Sequence, residues 1–286
     1  MKIAWIGTGV MGKAMLLHLV EGGHTVSAYN RTIEKALDLK EQGVRVCASL
    51  SECVADADLV FTIVGYPKDV EDVYMREDGI FHSAKAGAIL IDMTTSSPQL
   101  AVKLAKEAKQ YDMSVLDAPV SGGDTGAKAG TLSIMVGGDR EAFDKVKAVL
   151  ALMGKGIHYM GEAGCGQHTK AANQIAVAGA VSAMSEALYY AKQNGLDMQA
   201  MLDAISGGAA GSWQLNNTAP RVLKGDFQPG FFIKHFIKDM HIIQDVMAEK
   251  GEHLKMLDTV CSLYEELAAN GHENEGTQAL IKVYEK

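Results

Sequence analysis

The chain has 286 residues, 48% of them hydrophobic, and carries 35 acidic against 27 basic side chains, a net charge of −8. That length suggests about two domains and the apolar content supports a substantial core. The acidic balance excludes nucleic acid and anionic membrane surfaces as partners, and the lack of any 18-residue apolar run excludes a transmembrane helix.

Lys2-Ile3-Ala4-Trp5-Ile6 reads as a buried strand. Because the chain runs straight into it, no signal peptide is expected. Gly7-Thr8-Gly9-Val10-Met11-Gly12 follows at once, then a helical pattern through Val20. Strand, glycine turn and helix in this order are the context a dinucleotide-binding turn requires. Gly7 permits the tight turn, Gly9 lets the backbone approach a pyrophosphate, and Gly12 lets helix and strand pack closely. The pyrophosphate is expected on free N–H groups at the helix N-terminus.

A second strand, 25–29, ends in Asn30-Arg31-Thr32. An acidic residue there would hold a free ribose 2′-hydroxyl and repel a 2′-phosphate. Asn30 removes that repulsion, Arg31 offers a charged fork and Thr32 a hydroxyl, so the cofactor expected is NADP(H), with NAD(H) possible. The same tripeptide also reads as a helix cap before Ile33, and the two readings are compatible.

Further strands are expected at 59–64, 88–92, 114–117 and 131–136, with a short one near 157–159. Their alternation with helical stretches implies an α/β domain with a mostly parallel sheet and helices on both faces. Ligands of such sheets bind beyond the carboxyl ends of the strands. Three loops follow those ends: Val64-Gly65-Tyr66-Pro67, Met93-Thr94-Thr95-Ser96-Ser97-Pro98 and Ala118-Pro119-Val120-Ser121-Gly122-Gly123. Their hydroxyls and N–H groups suit a nicotinamide carboxamide or a substrate carboxylate, although ordinary turn chemistry uses the same residues.

The composition changes after about residue 162. Nothing breaks a helix over 166–194, about 28 residues or some 42 Å. Small and apolar residues recur on more than one side of it, which predicts burial between packed elements. Beyond it only helical periods appear, at 198–206, 213–223, 233–250, 254–270 and 277–284. Two domains are therefore expected, 1–162 for the dinucleotide and 163–286 helical.

On the long helix, Gln167, Lys170 and Asn173 recur every three residues and share a face. No charge occurs from Ala171 to Ser185, so Lys170 is expected to be partly buried, and desolvation would move its pKa toward neutrality. That suits a general acid or base; a lysine snorkelling at a helix end is the alternative. His168 falls on a different side and reads as structural. Lys238 and Asp239 interrupt an apolar helix start, where Lys238 either reaches a cofactor or belongs to one solvated face with Lys234. Cys47, Cys53, Cys165 and Cys261 show no metal-ligand spacing and read as free thiols of a cytoplasmic protein.

Gly7–Gly12, Asp117-Ala118-Pro119-Val120-Ser121-Gly122-Gly123, residues 164–173 and Lys238-Asp239 occur in an order that resembles the β-hydroxyacid dehydrogenase family, of which 3-hydroxyisobutyrate dehydrogenase is the best-known member. The resemblance spans essentially the whole chain. It implies a Rossmann-type N-terminal domain, a long interdomain helix and a helical C-terminal domain. It implies reversible NAD(P)-dependent oxidation of a short 3-hydroxy acid to its semialdehyde, by homodimers or homotetramers. By resemblance Lys170 is the acid/base, Ser121, Gly122 and Gly123 hold the substrate carboxylate, Asn173 orients the substrate, and Thr95 and Lys238 contact the cofactor. Two departures bear on substrate fit: Gln174 stands where many members have a second Asn, and Gly65-Tyr66-Pro67 where many have Leu-Pro. Imine reductases share the architecture but usually lack the lysine, so Lys170 implies carbonyl and alcohol chemistry. A non-catalytic NADPH sensor on the same fold is the alternative of a different class.

Overall fold

Alternate side chains of the first strand, β1 (Lys2–Ile6), enter two different cores. Ile3 and Trp5 join one apolar cluster, Ala4 and Ile6 the other. Residues alternating in this way mark a strand covered on both faces. The computed structural model, which describes residues 1–285, shows two compact units, Met1–Lys170 and Ala171–Lys286.

In the first unit, β1 is joined by β2 (Thr25–Tyr29), β3 (Arg45–Val46), β4 (Leu59–Thr62), β5 (Ile89–Asp92), β6 (Ser114–Asp117), β7 (Val120–Ser121), β8 (Leu132–Gly138) and β9 (Gly154–Gly161). The order is β3-β2-β1-β4-β5-β6-β8-β7, with β9 on β8. Every pair from β3 to β6 is parallel, whereas β8 runs antiparallel to β6 and β7 and parallel to β9. The chain passes from β1 to β2 and β3 on one side and returns to β4 on the other. The turn after β1 therefore sits at the switch point where such sheets bind ligands.

The helices covering the sheet are α1 (Val10–Glu21), α2 (Leu50–Val54), α3 (Pro67–Met75), α4 (Ile80–Ser83), α5 (Pro98–Glu107), α6 (Gly123–Ala129) and α7 (Arg140–Leu150). Their starts follow local chemistry. Ser49, Ser97 and Asp139 accept from the N–H groups of Glu52, Leu100 and Ala142, and Pro67 and Pro98 occupy first-turn positions where no N–H is needed.

Several elements differ from the sequence expectation. The segment Ile33–Gln42 is a 3₁₀ helix. β3 and β7 are strands of two residues, made by their partners: Ser27 and Ala28 for β3, Ile134 and Ser133 for β7. Val120 and Ser121 are thus an edge strand and not loop. β9 extends well beyond 157–159, held along its length by β8.

The helical unit is built on α8 (Cys165–Gln193), which starts in the first unit, with α9 (Met198–Ile205), α10 (Ala219–Leu223), α11 (Ile233–Ala248) and α12 (Lys255–Leu267). A π-helical turn, Gln214–Thr218, precedes α10, which begins with Pro220 in its first turn. A second π turn, Ala268–His272, prolongs α12 to a kink at Gly271 (φ 88°), and the last element, Thr277–Val283, is 3₁₀. Burial on α8 follows one stripe, Lys170, Gln174, Ala178, Val181, Ser185 and Leu188, while Ala172, Ala176, Ala183 and Tyr190 are exposed. Within the single chain burial is thus confined to one stripe, and since alanine is tolerated buried or exposed, absence of charge alone did not mark that face. Among the described residues no helix is long and apolar enough to cross a membrane.

Candidate active site

The glycine turn is fixed by two close approaches. Gly7 has φ +100°, and a Cβ there would run into the carbonyl oxygen of Ile63; one on Gly12 would run into that of Gly7. The Gly7 N–H donates to the Tyr29 carbonyl at 3.0 Å and its carbonyl accepts from the Trp5 indole at 2.8 Å. Gly9 differs: a Cβ built on it meets nothing within 4 Å. It is the N-cap of α1, no side chain caps that end, and Val10 in the first turn is exposed. An open backbone ahead of uncapped N–H groups fits a dinucleotide pyrophosphate.

Asn30 ties the turn to the end of β2. Its carboxamide oxygen accepts from the Thr8 N–H at 3.0 Å and its Nδ2 donates to the Thr32 carbonyl at 2.8 Å. Thr32 holds the N-cap position of the 3₁₀ segment, yet its side chain makes no capping bond. Met11 packs against the sheet's first core. Arg31 projects into solvent, 88% exposed, and pairs with Asp69 at 3.5 Å. Asp69 also accepts from the Tyr66 N–H at 3.1 Å, which fixes Tyr66-Pro67 at the start of α3.

The loops after β4 and β5 are joined, since the Val64 N–H donates to Thr94 Oγ1 at 3.0 Å. Asp92, at the end of β5, accepts from Thr62 Oγ1 at 2.9 Å and from the Thr94 N–H at 3.1 Å. Its register partner on β6 is Asp117. Burial pushes both carboxyls up to about 6; for Asp92 the Thr62 and Thr94 hydrogen bonds pull the other way and neighbouring Asp117 adds to the rise. Asp117 receives the Gly164 and Gln167 N–H groups, each at 2.8 Å, so it holds the first turn of α8. Gln167 completes the joint: its Oε1 accepts from the Ser96 N–H at 2.9 Å and its Nε2 donates to the Thr94 carbonyl at 2.7 Å. Lys170, one turn on, is 8% exposed, whereas His168 points out to solvent.

Thr95 and Ser121 are half-buried, and Gly122 and Gly123 are exposed at the start of α6 with φ +134° and +64°. In the first unit Gly7–Gly12, Asn30, Val64, Gly65 and Thr95 follow the carboxyl ends of β1, β2, β4 and β5, and Lys170 lies on α8, whose start Gln167 bonds to the loop after β5. Arg31 is engaged by Asp69. In the helical unit, Asn173 Nδ2 donates to Gln174 Oε1 at 2.8 Å, Gln174 Nε2 donates to Asp239 Oδ2 at 2.6 Å, and Lys238 pairs with Asp239 Oδ1 at 2.9 Å. Lys238 is 11% exposed, so it is not part of a solvated face. Trp213 and Asn217 lie at the surface, the Asn217 side chain bonded back to the Trp213 carbonyl at 3.0 Å.

Asp92, Asp117, Gln174 and Asp239 carry much of this geometry; sequence reading left Asp92 out and named the other three without giving them a role. A signal existed for the first two, since each is a lone carboxylate closing an apolar strand. Gln174 lies four residues after Lys170, the spacing of a helical neighbour.

Two family models cover the chain: the NAD binding domain of 6-phosphogluconate dehydrogenase over residues 2–161, and the NAD-binding domain of NADP-dependent 3-hydroxyisobutyrate dehydrogenase over 164–284. An uncharacterized oxidoreductase of Bacillus subtilis is 50% identical over 99% of both chains. The 2-hydroxy-3-oxopropionate reductase of Escherichia coli is 35% identical over 100% of this chain and 97% of its own. Among solved structures, Mycobacterium tuberculosis 3-hydroxyisobutyrate dehydrogenase with L-serine matches with a TM-score of 0.91 at 32% identity, over 100% of this chain and 99% of that one.

Proposed function

The chain belongs to the β-hydroxyacid dehydrogenase family, as an NAD(P)-dependent enzyme, and on that premise we propose that it moves hydride between NADP(H) and a short 3-hydroxy acid or its semialdehyde with Lys170 as general acid and base. The observation that carries this reading is the burial of Lys170 on the turn after Gln167, in a helix start held to the ends of β5 and β6 by Asp117 and Gln167. A buried ammonium gives up its proton more readily than a solvated one.

The nicotinamide ring, when bound, supplies the hydride acceptor or donor. The rest falls to this chain. Gly7–Gly12 and the α1 N-terminus take the pyrophosphate, Arg31 and Thr32 the 2′-phosphate, and Val64-Gly65-Tyr66-Pro67, Thr95 and Lys238 the remainder of the cofactor. The N–H groups around Ser121-Gly122-Gly123 take the substrate carboxylate. In oxidation Lys170, neutral, accepts the substrate hydroxyl proton; in reduction its ammonium protonates the forming alkoxide. Asn173 orients the hydroxyl. The exposed Ala172, Ala176, Ala183 and Tyr190 side of α8 supports a homodimer or homotetramer.

The test is a panel of semialdehydes (succinic, methylmalonic and tartronic) together with glyoxylate, each with NADPH and NADH. Turnover of at least one, lost in Lys170→Ala, supports the reading. Tight NADPH binding with no turnover of any would point to a sensor.

A further inference from the structure

His241 on α11 and Cys261 and Glu265 on α12 bring one nitrogen, one sulfur and one oxygen donor within 4.8 Å of one another. We propose that these three side chains form a binding site for a divalent transition-metal ion of the Zn²⁺ type, which clamps α11 to α12. The site uses none of the residues assigned to hydride transfer.

The local structure favours it in three ways. Cys261 and Glu265 are four apart on one helix, so they point to the same spot. His241 Nε2 already lies 2.7 Å from Glu265 Oε1 across the helix pair. Cys261 is 1% exposed, while the His241 and Glu265 side chains are 48% and 50% exposed. The sulfur thus forms a fixed floor and the two outer donors are free to rotate inward. Bond lengths of about 2.0 to 2.3 Å put tetrahedral donors roughly 3.3 to 3.8 Å apart, so the widest separation closes by about an ångström while His241 and Glu265, hydrogen-bonded at 2.7 Å, part to admit the ion. The fourth position faces water.

The donor set decides the metal class. A thiolate, an imidazole and a carboxylate suit Zn²⁺ and its neighbours, whereas Ca²⁺ and Mg²⁺ require oxygen shells. Asp258, one turn before Cys261 and accepting from Gln244 at 2.8 Å, adds negative charge nearby. Binding would release the Cys261 thiol proton to solvent. Among the described residues this is the one group of three such donors. The ordinary alternative is a surface His–Glu pair above a core cysteine.

Co²⁺ titration of the full, tag-free, chelator-treated chain separates the two. The expected result is one Co²⁺ per chain with a thiolate-to-cobalt charge-transfer band, displaced by Zn²⁺. The band should vanish in Cys261→Ser, and affinity should fall at least tenfold in His241→Ala and Glu265→Gln, whose surface positions leave the fold intact by circular dichroism. Zn²⁺ should also raise the thermal midpoint of the wild type and not that of His241→Ala. No band in the wild type, or an equal band in Cys261→Ser, would overturn the proposal.

Discussion

Gln174 donates to Asp239 at 2.6 Å and, through its other amide atom, accepts from Asn173 at 2.8 Å. One buried carboxamide thus links the residue expected to orient substrate with the carboxylate that pairs with Lys238. A Gln is needed for this span, because Asn at 174 is one methylene shorter. Gln174→Leu leaves Asp239, 1% exposed, short of a hydrogen bond. A buried group so deprived costs roughly 1–3 kcal/mol, to be read as a lower midpoint in urea. Gln174→Asn should restore little of it. A midpoint unchanged in both variants would mean the link carries no stability.

Lys170→Ala should reduce kcat by about 10²- to 10⁴-fold, the usual contribution of a positioned acid–base group. NADPH affinity, followed by cofactor fluorescence, should change far less. Near-normal turnover would remove Lys170 from the mechanism.

Arg31 faces solvent and holds Asp69 at 3.5 Å. An exposed pair of this kind is worth about 0–1 kcal/mol, so a 2′-phosphate can displace Asp69 cheaply. A hydrogen bond to a charged group is worth roughly 1.5–3 kcal/mol, about tenfold to a hundredfold in affinity. Arg31→Ala should therefore weaken NADPH by that factor and leave NADH nearly unchanged. Asp69→Asn keeps an acceptor for the Tyr66 N–H while removing a charge that competes for Arg31, and should tighten NADPH. Equal losses for both cofactors in Arg31→Ala would make Arg31 a loop residue only.

These residues also show what was legible in the sequence. Gly7, Gly9 and Gly12 follow a strand and open a helix, so period and spacing alone located the switch point. The long helix was legible for the same reason, because nothing between 166 and 194 interrupts it. The partners lay beyond sequence reach. Asp69 meets Arg31 across 38 positions, Gln174 meets Asp239 across 65, and β7 exists only because β8 returns beside it. Such contacts depend on how the sheet and helices pack, which no local pattern encodes. Which side of α8 packs within the chain was illegible for a related reason: alanine suits burial and exposure alike.

Asp92 supplies a pH test. Its carboxyl, pushed by burial from 3.8 up to about 6, binds its proton more tightly folded than unfolded. Stability from this group is therefore fully present below about pH 4. It is lost as pH rises toward 6, where the folded protein must hold a buried carboxylate, and it is constant above that. Asp92→Asn keeps an oxygen for Thr62 and Thr94 but cannot ionise. Relative to wild type, the variant should gain stability between pH 4 and 6, by about 3 kcal/mol at most for a rise of roughly two pKa units, and the gap should then stay flat to pH 8. Asp117, whose carboxyl burial also raises to about 6, is present in both proteins, so its own titration largely cancels in the gap. Paired urea titrations at each pH read the gap; a difference that does not vary with pH would mean that Asp92 is not protonated near pH 6.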